Sequence, residues 1–308
     1  MKPAVLAIVG PTASGKTALA VAAARALNGE VVSADSRQVY RGMDIGAGKV
    51  SRREMRGVPH HLLDVASPKR VFSAARYRKL GRAAIQKILK RGKLPIVAGG
   101  TGFYLDALLY DRLLPEVPPD PKIRAKLKKE SAAALFARLR RLDPRRAAAI
   151  DRFNKRRLVR ALEIIRATKK PVPPRGGGKS AQKSPYRVTA IGLAPEPEAL
   201  RKNIRDRLTR RLRAGMLRET ERLHELGVTW RRLDELGLEY RAASRCLRGL
   251  IGREEMSRAL ERDIRRYAKR QMTWFRRNPA IRWFKTPEAA LRHIKKEKLL
   301  QKYNRRRQ

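Results

Sequence analysis

The chain has 308 residues, 42% of them hydrophobic, enough for one large or two smaller domains with a real core and too apolar for a disordered chain. Lys and Arg number 75 against 28 Asp and Glu, a formal charge of +47. Such an excess points to a polyanionic partner, nucleic acid first and an anionic membrane surface second, or to a strongly basic proteome. A single cysteine, Cys246, excludes a disulfide framework and a cysteine zinc site and fits a cytoplasmic setting, and no apolar run approaches the ~20 residues of a membrane span.

The apolar run Ala4 to Val9 predicts a buried parallel strand rather than a removable signal. It leads into Gly10-Pro11-Thr12-Ala13-Ser14-Gly15-Lys16-Thr17, which fits the phosphate-binding P-loop pattern. Glycines let backbone N–H groups turn onto a phosphate, and the following helix adds partial positive charge. Lys16 is placed to reach the outer phosphates and Thr17 to ligate Mg²⁺. The motif by itself names no ligand. Ala18 to Asn28 reads as the first helix, stopped at Asn28-Gly29, and Glu30 to Ser33 as the second strand. Asp35 follows that strand, where ligands sit in open α/β sheets; it could hold Mg²⁺, accept a proton, or only cap a turn.

Gly42 to Lys49 is a glycine-punctuated loop, and Val58 to Asp64 reads as a short third strand. Its adjacent histidines, His60 and His61, would face opposite ways, which argues against a shared metal and for hydrogen-bonding roles. Ser73 is expected to cap a helix reaching Arg91, with Tyr77, Leu80, Ala84 and Ile88 as its apolar stripe. Leu94 to Ala98 is the next buried strand. It ends in Gly99-Gly100-Thr101-Gly102 rather than the acidic residue of a P-loop motor, which favours a site where backbone and one hydroxyl meet a second substrate.

Pro115, Pro118, Pro119 and Pro121 form a stiff connector to a basic, all-helical region over about 122–170. Pro171 to Tyr186, with three consecutive glycines, reads as a flexible loop, and Arg187 to Leu193 as a strand rejoining the sheet. One long helix is expected over Glu198 to Leu226 and another over about Glu254 to Arg277. The end of the second interleaves basic and aromatic residues, as a nucleic-acid surface does, although core packing can claim Trp274 or Phe275. Ala280 to Phe284 is a candidate last strand, the tail ends in Arg305 to Arg307, and no internal repeat is seen.

Taken together, the P-loop, Ser33 to Tyr40 with Gly42 to Gly46, Gly57 to Leu62, Gly99 to Leu105, Arg156 to Glu163 and Lys269 to Arg277 resemble the bacterial tRNA dimethylallyltransferases, also called tRNA isopentenyltransferases. These segments run in order through nearly the whole chain. The fold implied is α/β: a P-loop nucleotide-hydrolase-like core with a parallel sheet flanked by helices, over residues 1–115 and 185–308, and an inserted helical, tRNA-binding subdomain over 116–184.

The resemblance implies transfer of a dimethylallyl group from its diphosphate to N6 of the adenosine beside the anticodon. It implies that Gly10, Thr12, Ala13, Ser14, Gly15, Lys16, Thr17 and Arg207 hold the diphosphate, with Mg²⁺ on Thr17. Asp35 would be the base and Thr101 its assistant at the same amine. Asp35, Ser36, Arg37, Gln38, Thr101, Arg124, Arg156, Arg157, Arg160, Lys269, Arg270, Gln271, Thr273, Trp274 and Arg276 fall at positions that contact the tRNA anticodon stem-loop in the family. A monomer with no membrane partner is expected. The chain departs from the family at Ala47-Gly48-Lys49 and at Gly237-Leu238-Glu239-Tyr240, and its basic excess exceeds the family's. Three other readings compete: a P-loop kinase, a relative that prenylates free adenine nucleotides, and a nucleotide-switched nucleic-acid-binding module.

Overall fold

β1 (Ala4–Val9) sends successive side chains to opposite faces of one parallel sheet. Val5, Ala7 and Val9 enter one buried cluster, and Leu6 and Ile8 enter the other. The computed structural model describes residues 2–110, 115, 117–173 and 184–297. After β1 come α1 (Lys16–Leu27), β2 (Gly29–Ser33), α2 (Arg52–Met55), β3 (His60–His61), α3 (Ala74–Lys90), β4 (Leu94–Gly99) and α4 (Gly102–Leu109). The basic helical region holds α5 (Pro121–Lys129), α6 (Ala132–Leu142), α7 (Pro144–Ala148) and α8 (Lys155–Thr168). β5 (Arg187–Leu193), α9 (Pro197–Arg213), α10 (Met216–Glu225), α11 (Trp230–Glu235), α12 (Leu238–Leu247), α13 (Arg253–Phe275), β6 (Ile281–Phe284) and α14 (Pro287–Lys296) complete the described chain.

The strand order is β3-β2-β4-β1-β5-β6, and every pairing is parallel. β1 pairs with β4 on one side and with β5 on the other. The chain runs from β1 past β4 to β2 and later crosses from β4 past β1 to β5. The order therefore reverses between β1 and β4, and the loops after β1, β2 and β4 open onto the same end of the sheet. α1 and α14 supply Leu19, Ala23, Ala290 and Ile294 to one face, and α3 and α4 supply Tyr77, Ile85, Leu105 and Leu108 to the other. α9, α10, α12 and α13 form a third cluster around Ile204, Leu208, Met216, Leu260 and Ile264.

The chain divides into two compact units, Met1–Tyr110 with Ser184–Gln308, and Asp111–Lys183. The smaller unit has its own core of Leu135, Leu139, Leu158, Leu162 and neighbours. Among the described residues no helix is long and apolar enough to cross a membrane.

Several elements differ from the sequence expectation. The third strand shrinks to two residues. His61 Nε2 lies 2.7 Å from the buried Glu30 carboxylate and His60 Nδ1 2.9 Å from the Val58 carbonyl, so both histidines have the hydrogen-bonding roles expected. The helix expected over 198–226 is broken at Gly215, whose φ of 96° no helical residue adopts; it opens α10 instead. Ser73 caps α3 by accepting the Arg76 N–H. Helices α4, α11, α12 and α14 have no counterpart in the sequence reading. Most of the expected loop over 171–186, part of the proline connector and the basic tail lie outside the described residues.

Candidate active site

Gly10, Ala13 and Gly15 carry positive φ angles of 151°, 61° and 85°, which curl the loop between β1 and α1 around a hollow. Lys16, the first residue of α1, reaches back across it and donates to the Pro11 carbonyl at 2.8 Å. Burial, and then the Arg207 charge, push the Lys16 pKa down to about 8, against an upward pull from Asp35. The buried Ser14 Oγ has no hydrogen-bond partner among the described residues, a polar atom left for a ligand. Thr17 is exposed one residue further along α1.

The loops after β2 and β4 are stitched together. Ala34 N–H donates to the Ala98 carbonyl, and Thr101 N–H to the Ala34 carbonyl at 3.1 Å. A side chain at Gly99 would place its Cβ 2.2 Å from the Ala34 carbonyl oxygen, so this approach requires glycine. Ser36 N–H donates to Thr101 Oγ at 3.0 Å. Asp35 Oδ1 accepts the Arg37 N–H at 2.8 Å, a turn that fixes the carboxyl group and leaves Oδ2 outside it. The turn-cap and proton-acceptor readings of Asp35 are therefore compatible. The Tyr267 hydroxyl is hydrogen-bonded to Thr101, and burial together with the Asp35 charge pushes its pKa up to about 12. The Tyr77 and Tyr104 rings stack at 4.0 Å, and Tyr77 donates to the Ser33 carbonyl.

Arg207, from α9, donates to Thr12 Oγ at 3.1 Å and to the Gly48 carbonyl at 3.3 Å, so the helix, the P-loop and the 42–49 loop meet at one guanidinium. Burial, and then its neighbour Arg211, push the Arg207 pKa down to about 10. Gln38, one of the residues expected at the tRNA surface, is half-buried and turns its amide toward the neighbouring loops. It accepts from Ser33 and donates to the Gly48 carbonyl. Gln271 likewise points inward: it is 6% exposed, accepts Thr12 N–H at 2.8 Å and donates to the Gly100 carbonyl at 2.8 Å. Both are internal braces, because buried loop backbone needs partners that a neighbouring helix or turn can supply.

With this geometry in view, the family model described as IPP transferase matches residues 38–278. The chain belongs to the IPP transferase family. A protein of Roseiflexus sp. (strain RS-1) named tRNA dimethylallyltransferase is 46% identical over 280 residues, covering 90% of this chain and 91% of that one. One of the same name from Geobacillus kaustophilus is 41% identical over 294 residues, covering 94% and 92%. The crystal structure of the full-length tRNA isopentenylpyrophosphate transferase of Bacillus halodurans is similar over 99% of both chains, with a TM-score of 0.73 at 37% identity. A eukaryotic dimethylallyltransferase captured acting on tRNA superposes with a TM-score of 0.73 at 27% identity, over 89% of this chain and 70% of that one.

In this member of the IPP transferase family, α13 presents Lys269, Arg270 and Thr273 outward, and Arg276, just past its end, is exposed too. Arg270 lies over the Tyr267 ring and Arg277 over the Trp274 ring. Phe275 is buried, whereas Trp274 is half-buried against Gly102 and donates to Asp106. Core packing thus claims Phe275 outright and Trp274 in part. In the smaller unit Arg156 and Arg157 are exposed. Arg124 and Arg160 are not free cations: both bind the buried Glu163, Arg124 through two nitrogens at 2.8 and 2.9 Å and Arg160 through one at 2.6 Å. Glu163 also accepts Asp120 N–H, so these arginines secure the start of α5.

The sequence reading missed Glu219, Tyr240 and Arg211 as parts of this centre. Arg211 donates to the Gly46 carbonyl and to Glu239. Arg211 sits in a charged helix whose pattern looks like a solvated face. Glu219 and Tyr240 do carry a spacing signal: Glu219 lies three residues after Met216 and four before Leu223, and Tyr240 three and four before Ala243 and Ser244, all of them buried.

Proposed function

We propose that this chain transfers the dimethylallyl group of dimethylallyl diphosphate to N6 of the adenosine beside the anticodon in tRNA, releasing diphosphate. One observation carries this reading. A phosphate cradle after β1, the Asp35 carboxylate after β2 and the Thr101 hydroxyl after β4 converge at the carboxyl ends of neighbouring parallel strands.

The N6 amine is a weak nucleophile, and the allylic diphosphate leaves once its charge is offset. N6 attacks C1 of the dimethylallyl group, the C1–O bond breaks, and the electron pair departs with the diphosphate. Lys16, Arg207 and the N-terminus of α1 neutralise that anion. Asp35 takes the N6 proton, and Thr101, held by Ser36 and Tyr267, orients the amine. The exposed arginines and lysines of α13 and α8 grip tRNA phosphates while the target base is turned out of its stack. The residues present also fit Mg²⁺. The Thr17 hydroxyl, exposed at the start of α1 beside the P-loop, would be the protein's ligand to the ion. Bound there, it would supply further charge neutralisation to the leaving group.

The decisive assay supplies radiolabelled dimethylallyl diphosphate and Mg²⁺ with bulk tRNA, and in parallel with AMP, while ATP hydrolysis is followed. Label in tRNA alone supports the proposal. Label in AMP alone moves the substrate to a free nucleotide, and ATP consumption without label moves the reaction class to a kinase or ATPase. Asp35→Ala is expected to lower turnover by about 10²–10⁴-fold, the usual contribution of a general base, with tRNA affinity retained. Full turnover in that variant removes Asp35 as the base.

A further inference from the structure

Glu219, on α10, is 5% exposed, a carboxylate taken out of water. Its oxygens are satisfied by four neutral donors. Oε2 accepts the N–H groups of Asp44 and Ile45 at 2.9 and 2.7 Å, and Oε1 accepts Gly46 N–H at 2.9 Å and the Tyr240 hydroxyl at 2.8 Å. The Tyr240 oxygen in turn accepts Ala47 N–H at 3.1 Å. Four consecutive backbone N–H groups are therefore fixed from one side. The carbonyls of the same loop carry the other side of the connection: Gly46 accepts from Arg211, and Gly48 accepts from both Gln38 and Arg207. Arg207 closes the chain on Thr12 of the P-loop.

We infer that Glu219, with Tyr240, is a positioning residue for the diphosphate site, acting through the 44–48 loop to hold Arg207 in place before the anion arrives. The inference rests on the transferase reading only for the identity of the anion. The chemistry of the anchor explains why a carboxylate stands here. Four donors converge on two oxygens, which only an ionised carboxyl group can satisfy; an amide offers one acceptor and turns its NH₂ against N–H groups. The need for an anchor is equally plain. Arg207 lies beside Arg211 and near Lys16, and three cations do not share one hollow unless their geometry is imposed. Gly48 makes the same point: a Cβ there would fall 1.7 Å from an Arg211 nitrogen and 2.3 Å from an Arg207 nitrogen.

The test is calorimetric titration of the full chain with inorganic pyrophosphate and Mg²⁺, alongside tRNA affinity and thermal melting. Glu219→Gln is expected to weaken pyrophosphate binding about 10-fold or more and Tyr240→Phe about 3-fold. Glu221→Gln, the same change on the exposed side of α10, should have no effect. In all three variants tRNA affinity should stay within about 2-fold of the parent. Unchanged pyrophosphate affinity in Glu219→Gln overturns the inference, as does a parallel loss of tRNA and pyrophosphate binding, which marks a merely structural residue. If Glu219→Gln does not fold, unchanged pyrophosphate affinity in Tyr240→Phe overturns it alone. A parent chain whose pyrophosphate affinity depends on Glu219 yet that transfers no dimethylallyl group would sink the transferase reading and leave the positioning inference standing.

Discussion

Lys16 is held in a state that costs free energy until an anion arrives. Its pKa of about 8, set chiefly by burial, means that the free chain begins to lose the charge as pH rises through 8. A bound diphosphate favours the charged form, so binding takes up a proton above that pH and affinity falls. Titration of pyrophosphate from pH 7 to 9 in buffers of different ionisation enthalpy should show this uptake. In Lys16→Arg, whose guanidinium stays protonated, the part of the fall that begins near pH 8 should vanish even if binding is weaker throughout. Two of the most exposed-looking polar residues in the sequence turn out to be braces. Gln38 and Gln271 lie in segments rich in Arg and Lys, and nothing in their spacing says that the amide turns inward. The signal that could have found Gln271 is its place on α13: it is three residues after Ala268 and four before Phe275, both buried, which sets it on the inward stripe.

At the scale of elements, α13 does two things with two faces. Its inner face supplies Leu260, Ile264 and Ala268 to the helical cluster and Gln271 to the P-loop, and its outer face carries the cations. Gln271→Leu would leave the Thr12 N–H and the Gly100 carbonyl without partners. The expected loss is about 2–6 kcal/mol by urea unfolding, from one part-buried and one buried polar group at about 1–3 kcal/mol each. Pyrophosphate affinity should fall with it, because the loop that loses its tether is the cradle itself. The parallel sheet was legible in the sequence because β1 and β4 are apolar runs closed by glycine, while β2 is a short strand and β5 an alternating one, followed within two residues by Asp35 and Pro195. The break at Gly215 was not, since Leu208, Leu212 and Met216 keep their four-residue spacing straight across it. α4 shows no clear amphipathic stripe in the sequence, since Tyr104, Leu105, Ala107, Leu108 and Leu109 are all buried and spread round the helix. α14 did carry a start signal, Thr286 before Pro287, and Thr286 caps it by accepting Ala289 N–H.

For the molecule as a whole, a charge of +47 is the dominant fact, and the described acids mostly sit where they hold structure together. Glu30 binds His61, Arg91 and Lys93, Glu163 binds Arg124 and Arg160, and Glu219 binds a loop. Apart from buried cations such as Lys16 and Arg207, the cations left over mostly face solvent and dominate the field that a polyanion meets. Reversing two of them, with Lys269→Glu and Arg270→Glu together, should weaken tRNA binding and flatten its dependence on salt, by about 0.7–0.9 in the log–log slope for each phosphate that is no longer neutralised. Binding measured across a salt series checks this, and an unchanged slope removes α13 from the tRNA surface.

The strand order has a consequence for the chain while it is being made. β1 is hydrogen-bonded on both sides, to β4 and to β5, yet its partner residues in β5 lie at 187–192. Until the ribosome has delivered them, a nascent chain with β1, β2, β3 and β4 assembled exposes one bare, wholly apolar edge, Ala4 to Val9, the kind of edge that pairs with strangers. Residues 111–183 stand between the first half of the sheet and its completion. At synthesis rates of about 5–20 residues per second that interval lasts on the order of 4–15 s. The helical unit that serves the finished protein is thus, during birth, a delay imposed on the closing of its most aggregation-prone strand.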